Sequence, residues 1–179
     1  LYFLQGYGVD GLFAITITLM LAEKTELSLA ILGGGALLAL RHLGEAFSSP
    51  VFGTIADYIG ARRIFILSST LVILGFLLIS IGMIITGAFI LLIFRGAMAS
   101  LGPTLIAQTI TSEQKLKNSL SKMQTYRDLG AAIGPIITGL TLSHLIPETQ
   151  HLILGIIFAV FFLFFLRSNT YIANLKLTK

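Results

Sequence analysis

The sequence predicts an all-α integral membrane protein of six transmembrane helices. Of its 179 residues, 55% are hydrophobic and only 11% are charged, and the mean hydropathy is +0.93. A water-soluble domain needs far more charge to cover its surface. Six segments are long and apolar enough to cross a hydrocarbon core of about 30 Å. Short polar connections separate them, so the sequence leaves no room for a separate soluble domain.

The six predicted spans share a length of about 20 mostly apolar residues. Their approximate bounds are Tyr2 to Leu21, Leu27 to Ile55, Ile64 to Ile85, Ala88 to Ile110, Leu120 to Leu142 and Leu152 to Leu166. We therefore expect residues 1–179 to form one helical bundle, ending in a cytoplasmic tail over 169–179.

Basic residues are concentrated on one side of this predicted topology. The opposite connections hold only Lys24. Because basic loops stay in the cytoplasm, we expect both termini there, in a plasma membrane of the bacterial inner-membrane type. The eight basic residues of the cytoplasmic side are Arg62 and Arg63 after the second span, Lys115, Lys117 and Lys122 after the fourth, and Arg167, Lys176 and Lys179 after the sixth.

The second and fifth spans resemble each other in sequence. The segment from Arg41 to Pro50 aligns with Arg127 to Pro135 if one gap is allowed, and Arg, Leu, Gly, Ala and Pro coincide in order. Three helices per copy invert the second copy, so we expect a 3+3 inverted repeat with copies near 1–86 and 87–168. Two unrelated glycine-rich helices that each contain a proline are the simpler alternative. The third and sixth spans contain no ionisable residue, which places them on the lipid-facing outside.

Ionisable residues inside the other four spans are candidates for a proton and substrate cavity, because charge within a bilayer is costly and is usually paired. Arg41 and Glu45 lie one helical turn apart and can form an ion pair, whose alternative role is packing alone. Arg127 and Asp128 are equally well explained as interfacial anchors. The full candidate set is Asp10, Arg41, His42, Glu45, Arg95, Arg127 and Asp128.

Asp10 is the leading candidate for a proton carrier. A carboxyl group that faces an apolar cavity holds its proton more readily, so it can load and release a proton near neutral pH. Glu45 is the second candidate, although Arg41 is expected to keep it ionised. His42 titrates in the right range, but a lone histidine is more often a hydrogen-bonded packing residue.

Small residues and a proline on the fifth span predict a flexible contact. Gly130 and Gly134 are four residues apart, so a neighbouring backbone can approach them closely. Pro135 removes one helical hydrogen bond and permits a bend. Static packing and a bend that moves during transport require the same residues.

The segment from Gly53 to Arg63 resembles the cytoplasmic signature of the major facilitator superfamily. Gly53, Asp57, Gly60, Arg62 and Arg63 match its glycine, acid, glycine and paired basic residues between the second and third helices. The resemblance implies a cytoplasmic gate that closes the carrier on that side. Gly53 and Gly60 suit a tight turn, and Asp57 suits a helix cap or a cationic partner. A basic turn that only follows the charge rule would explain the arginines alone.

Two further segments resemble motifs of the same family. Arg95 with Gly96 and Gly102 is similar to its buried-arginine motif, and Gly130, Gly134, Pro135 and Gly139 are similar to its antiporter motif. Thr138 replaces one glycine of the antiporter pattern, which weakens that inference. The family has twelve helices, so the resemblance implies one six-helix half. We favour the C-terminal half, because the chain begins inside its first helix and ends in a short polar tail; a natural half-length protein is the alternative.

The leading hypothesis is a secondary transporter that moves a small molecule by alternating access, and the ionisable residues in the spans favour coupling to protons. Its expected partners are the substrate, protons, the lipid bilayer and a second six-helix half in the same or another chain. The alternative is a non-transporting half-size subunit or scaffold in a larger membrane complex. We expect no enzymatic activity, no cofactor, no metal site and no nucleic-acid binding. His144 and His151, with Glu148 between them, fit chance loop composition better than a metal site.

Overall fold

Six long helices make up the chain over residues 1–177, the part whose backbone the computed structural model describes; side chains are described as far as Ser168. The predicted tail, 169–179, therefore lies outside the residues with described side chains. The helices are α1 (Tyr2–Ala22), α2 (Leu27–Ile59), α3 (Ala61–Ser80), α4 (Ile84–Thr109), α5 (Glu113–Thr141) and α6 (Pro147–Leu177).

Part of α1 is wound more loosely than an α-helix. Residues Gly6–Phe13 form a π-helix between the α-helical stretches Tyr2–Gln5 and Ala14–Ala22. Such segments are rare inside helices and are frequent at functional sites. Asp10 lies in the middle of this one.

The helices pack on their neighbours in the chain and also cross between the two halves of the chain. α1 packs against α5 and α2, while α4 packs against α3 and α2. α3 also contacts α6, where the ring of Phe76 lies 6.3 Å from that of Phe158. Small residues allow the closest of these contacts, since a methyl group added at Gly87 would lie 2.7 Å from the carbonyl oxygen of Gly75.

The connections between helices are short and are fixed by local interactions. Gly60 alone separates α2 from α3 and has a φ of +102°, which an L-residue with a side chain rarely adopts. At the other end of the bundle, Lys24 Nζ donates a hydrogen bond of 2.9 Å to the carbonyl oxygen of Gly82. α6 starts at Pro147, and proline suits the first turn of a helix because its missing N–H would have no helical partner.

Several helices extend beyond their predicted ends. α2 continues to Ile59, so most of the expected loop after Ile55 is helical. The expected loop residues Lys115, Lys117 and Lys122 lie in α5, and the expected loop residue His151 lies in α6 and is fully buried. Polar residues end the apolar stretch but do not end a helix, because a helix can project from the bilayer into water. At about 1.5 Å per residue, the 33 residues of α2 span about 50 Å.

Among the described residues, five helices are long and apolar enough to cross a membrane: α1, α2, α3, α4 and the part of α6 from Pro147 to Ser168. The N-terminal half of α5 is too polar to meet the same condition. The least buried of the five is α2, and α3 buries nine residues against its neighbours. The third span is predicted to lie on the outside, but within this chain α2 is more exposed than α3.

Candidate functional site

Four of the predicted cavity residues form one connected cluster of charges. Asp10 Oδ1 lies 3.1 Å from Arg41 Nη1 and 3.1 Å from Arg95 Nη2. The other end of the Arg95 guanidinium binds Glu45 Oε2 through Nη1 at 2.5 Å. Two positive and two negative side chains thus alternate in the order Arg41, Asp10, Arg95, Glu45, and they join α1, α2 and α4.

Exposure differs across this cluster and defines a closed and an open side. The side chain of Arg95 is only 5% exposed, while those of Asp10 and Arg41 are 14% and 16% exposed. Glu45 is the most open member, at 31%. Glu45 is therefore the most accessible of the four side chains and Arg95 the least accessible.

The sequence around Arg95 brings α2 close to α4. Gly96 lies against α2, where an added methyl group would come within 3.1 Å of the Glu45 Cα and would also collide with Ser48 Oγ. Ser49 Oγ donates a hydrogen bond of 3.2 Å to the Gly96 carbonyl oxygen. The glycine after Arg95 therefore permits the helix contact that places Glu45 beside the guanidinium.

The expected ion pair between Arg41 and Glu45 is wrong in its partners. Arg41 binds Asp10 of α1, and Glu45 binds Arg95 of α4. Asp10 Oδ1 contacts both arginines and Arg95 also binds Glu45, so these ion pairs join three helices, which a pair within α2 could not do. Asp10 accordingly faces two guanidinium groups, whereas an apolar cavity was expected around it.

The remaining three cavity candidates take no part in the ion pairs of this cluster. His42 is exposed, and its Nε2 lies 3.1 Å from Arg41 Nη2. Arg127 Nε lies 3.5 Å from Asp128 Oδ1, and Asp128 also accepts a hydrogen bond of 3.0 Å from Gln124 Nε2. Arg127 and Asp128 thus form a separate, more exposed group on α5.

The residues of the predicted gate lie at the junction of α2 and α3. Gly60 provides the left-handed turn, but Gly53 lies inside α2 with open space where a side chain would be. Asp57 is an exposed residue of α2 and makes no capping hydrogen bond to the start of α3. Arg62 and Arg63 are exposed on the first turn of α3. Within the described side chains, neither arginine has an ion-pair partner.

The predicted bend motif lies on the contact between α5 and the π-helical part of α1. A methyl group at Gly134 would lie 2.8 Å from the Gly11 Cα, and one at Gly130 would collide with the Phe3 carbonyl oxygen. On the other helix, a side chain at Gly6 would collide with the carbonyl oxygen of Arg127. The two backbones are thus in direct contact.

Pro135 and Gly139 extend the same helix beyond this contact. Pro135 lies inside α5, next to Gly134. Gly139 has open space around the position of its missing side chain. It therefore takes no part in the contact between the backbones of α1 and α5.

Sequence reasoning missed Gln5. This residue is fully buried, and its Nε2 donates a hydrogen bond of 3.2 Å to the carbonyl oxygen of Arg95. The signal that could have identified it is an amide side chain in an apolar span, which a search for ionisable residues passes over.

The described residues contain no group of three or more histidine, cysteine or carboxylate side chains that could hold a metal. His151 instead packs on Phe76, with ring centroids 6.2 Å apart, and its Nδ1 lies 2.8 Å from the carbonyl oxygen of Pro147. The position of His151 is therefore that of a packing residue of α6.

One comparison with known proteins gives a match. A family model described as Major Facilitator Superfamily matches residues 1–178. Neither the curated proteins nor the solved structures contain a match to this chain. The family match covers nearly the whole chain, including every residue of the charge cluster.

Proposed function

Because the chain belongs to the Major Facilitator Superfamily, we propose that it is a proton-coupled secondary transporter that moves a small molecule by alternating access. The observation that carries this proposal is the cluster of Asp10, Arg41, Glu45 and Arg95. Placing four charges among apolar helices is costly unless they are paired or have a task. A scaffold subunit would gain the same helix contacts from apolar residues at lower cost.

Asp10 is the proton carrier in this proposal, and it would load a proton when the substrate competes for its two arginine partners. Its carboxylate holds Arg41 of α2 and Arg95 of α4 to α1. A proton on Asp10 would remove the negative charge between the two guanidinium groups and weaken both links at once. Proton loading would thereby loosen α1 from α2 and α4, which is the kind of change that alternating access requires.

A second six-helix half completes the cavity in this proposal. Glu45 is partly exposed and His42 is exposed on the side of α2 that this chain leaves uncovered. Charged groups in a membrane face water or protein rather than lipid. The large apolar residues Leu32 and Phe47 of α2, 69% and 72% exposed, would be covered by lipid or by the same partner.

Arg62 and Arg63 are the proposed cytoplasmic gate. Both are exposed on the first turn of α3, which leaves them available to acidic groups of the second half. Such pairs would hold the cytoplasmic side closed and would break as it opens. In this orientation both termini lie on the cytoplasmic side of a bacterial inner membrane.

The crossed packing supports the proposed 3+3 inverted repeat. The second helix of the first copy, α2, packs on the first helix of the second copy, α4. The second helix of the second copy, α5, packs on the first helix of the first copy, α1. Glycines mediate both contacts, at Gly96 and at Gly134. This exchange is the arrangement that a two-fold relation between the copies would produce.

The test is solute-driven proton movement in liposomes. The purified protein is reconstituted into vesicles loaded with the pH indicator pyranine, and solutes of anionic, cationic and zwitterionic classes are added in turn. A transported solute is expected to change the internal pH only in vesicles that contain the protein. Asp10→Asn is expected to abolish the change.

Asp128→Asn is the matched control, since it neutralises an acid outside the cluster. Equal proton movement in the native protein and in Asp10→Asn would contradict the role of Asp10. If no solute moves protons and a stable partner co-purifies in detergent, the scaffold alternative is favoured.

A further inference from the structure

Gln5 and Arg95 each hold a buried polar atom that has no partner among the described residues. Gln5 is fully buried on α1, and Arg95 is 4% exposed on α4. The Gln5 amide nitrogen already bonds to the Arg95 backbone, but its Oε1 accepts no hydrogen bond. Arg95 uses both terminal nitrogens on acids, but its Nε donates none. A free acceptor and a free donor thus belong to two residues that are already in contact.

Two acids now neutralise the Arg95 guanidinium. They are Asp10 from α1 and Glu45 from α2, and Arg41 of α2 shares Asp10. Within the described side chains no other charged group pairs with Arg95. If Asp10 became neutral, Arg95 would lose one of its two negatively charged partners while remaining buried, and an incompletely compensated buried cation strongly destabilises a protein.

We propose that Gln5 is a positioning residue that becomes the partner of Arg95 when Asp10 is neutral. Gln5 Oε1 would accept a guanidinium N–H, because a neutral group at position 10 binds Arg95 less strongly than the carboxylate does. Because glutamine is uncharged, it can accept this bond without holding Arg95 as firmly as an acid would. The inference rests on the proposed coupling of Asp10 to protons, and it explains why an amide lies buried beside the charge cluster.

The test is a double-variant comparison of thermal stability that needs neither substrate nor transport. Asp10→Asn reproduces the neutral state of Asp10, and Gln5→Met removes the amide at similar side-chain length. We expect Gln5→Met to lower the Tm of the full chain in detergent about twice as much in the Asp10→Asn background as in the native background. A role limited to the bond with the Arg95 carbonyl oxygen would give equal decreases, and that result would overturn the proposal.

Gln150→Met is the matched control. Gln150 is also buried, donates from Nε2 to a backbone carbonyl oxygen and has a free Oε1, but it lies on α6 away from the charges. Its substitution should lower the Tm equally in both backgrounds. Because this test measures stability and not transport, a failure of the proposal for Gln5 can be distinguished from a failure of the proposed transport function.

Gln5→Glu is a second test, for the case in which the double variant Asp10→Asn with Gln5→Met does not fold. Gln5→Glu puts a carboxylate beside Arg95, so it should raise the Tm of Asp10→Asn while leaving the native protein no more stable. A decrease of equal size in both backgrounds would contradict the proposal.

Discussion

At the scale of single residues, alternation of charge explains how four ionisable side chains share one site among apolar helices. Each acid of the cluster contacts at least one guanidinium group, and the four formal charges sum to zero. Arg95 is the most buried member and binds both acids. Its planar group offers several donors in a fixed geometry, which lysine lacks. Arg95 is therefore the member of the cluster whose loss takes a partner from both acids.

Substitution Arg95→Met is predicted to destabilise the protein by about 3–5 kcal/mol, because it leaves Glu45 without its partner and Asp10 with Arg41 alone. The measurement is the free energy of unfolding in mixed lipid–detergent micelles. Arg127→Met is the control, since that side chain is 27% exposed and pairs only with its neighbour. Its loss is expected to cost at most about 1 kcal/mol. Equal costs for the two substitutions would show that the cluster does not stabilise the fold.

At this scale the sequence identifies the charged residues but not their partners. Asp10, Arg41, Glu45 and Arg95 are all recognisable as charges in apolar spans. Helical spacing relates residues only within one helix, and it therefore suggests Arg41 with Glu45. The actual partners depend on which helices cross at Gly96, and a contact between distant residues leaves no local signal. Gln5 is hidden for the same reason.

At the scale of helices, glycines place the charge-bearing part of α1 against α5. Gly6 and Gly11 of the π-helical segment contact the backbone of α5 near Arg127 and at Gly134. Asp10 lies between these two glycines in sequence. A movement of α5 therefore acts directly on the segment that holds the proposed proton carrier.

Gly134→Ala is predicted to destabilise the protein by at least about 1 kcal/mol, as overpacking does in a close contact. The added methyl group would lie 2.8 Å from the Gly11 Cα, so one backbone must move. Gly139→Ala, on the same helix but in open space, is expected to be neutral or to stabilise by up to about 1 kcal/mol through helix propensity. The measurement is the Tm of each variant relative to the native protein. A lower Tm for Gly139→Ala than for the native protein would contradict the proposed packing.

Gly60→Ala is predicted to destabilise the junction of α2 and α3 by about 1–2 kcal/mol, because its φ of +102° is strained for alanine. Gly53→Ala is the control from the same motif, since Gly53 is helical and has open space around it. We expect a lower Tm for Gly60→Ala alone. Equal Tm values would mean that the junction relaxes to another conformation.

The sequence identifies the helices better than it identifies their ends. Apolar length indicates five of the described helices, because burial in lipid requires it, while α5 is too polar in its N-terminal half to meet the same condition. α2 and α5 extend beyond the ends of their apolar stretches, because a helix as well as a loop can project from the bilayer into water. The π-helical segment of α1 cannot be predicted in this way, because apolar length does not distinguish a π-helix from an α-helix.

At the scale of the whole molecule, the chain is an integral membrane protein of the Major Facilitator Superfamily with an unevenly covered bundle. α2 is the least buried of the five apolar spans and carries half of the charge cluster. One side of the site thus stays open in this chain. We infer that the functional unit needs a second half on that side.

The proposed orientation predicts which ends of the helices can be labelled. The chain contains no cysteine, so single cysteines can be introduced without a background. Glu23→Cys, in the connection after α1, should react with a membrane-impermeant maleimide in intact cells. Lys117→Cys, in the first turns of α5, should react only after the membrane is opened. The reverse pattern would place the basic side outside the cell.

Proton movement per folded molecule tests most directly whether the charge cluster serves transport or only packing. The measurement is solute-driven proton flux in liposomes for Asp10→Asn and Asp128→Asn, each divided by the amount of monodisperse protein recovered. We predict a loss of about a hundredfold for Asp10→Asn, as expected when a proton-transfer group is removed, and little change for Asp128→Asn. Equal flux per folded molecule in the two variants would contradict the proposed role of the cluster and leave it as a packing device.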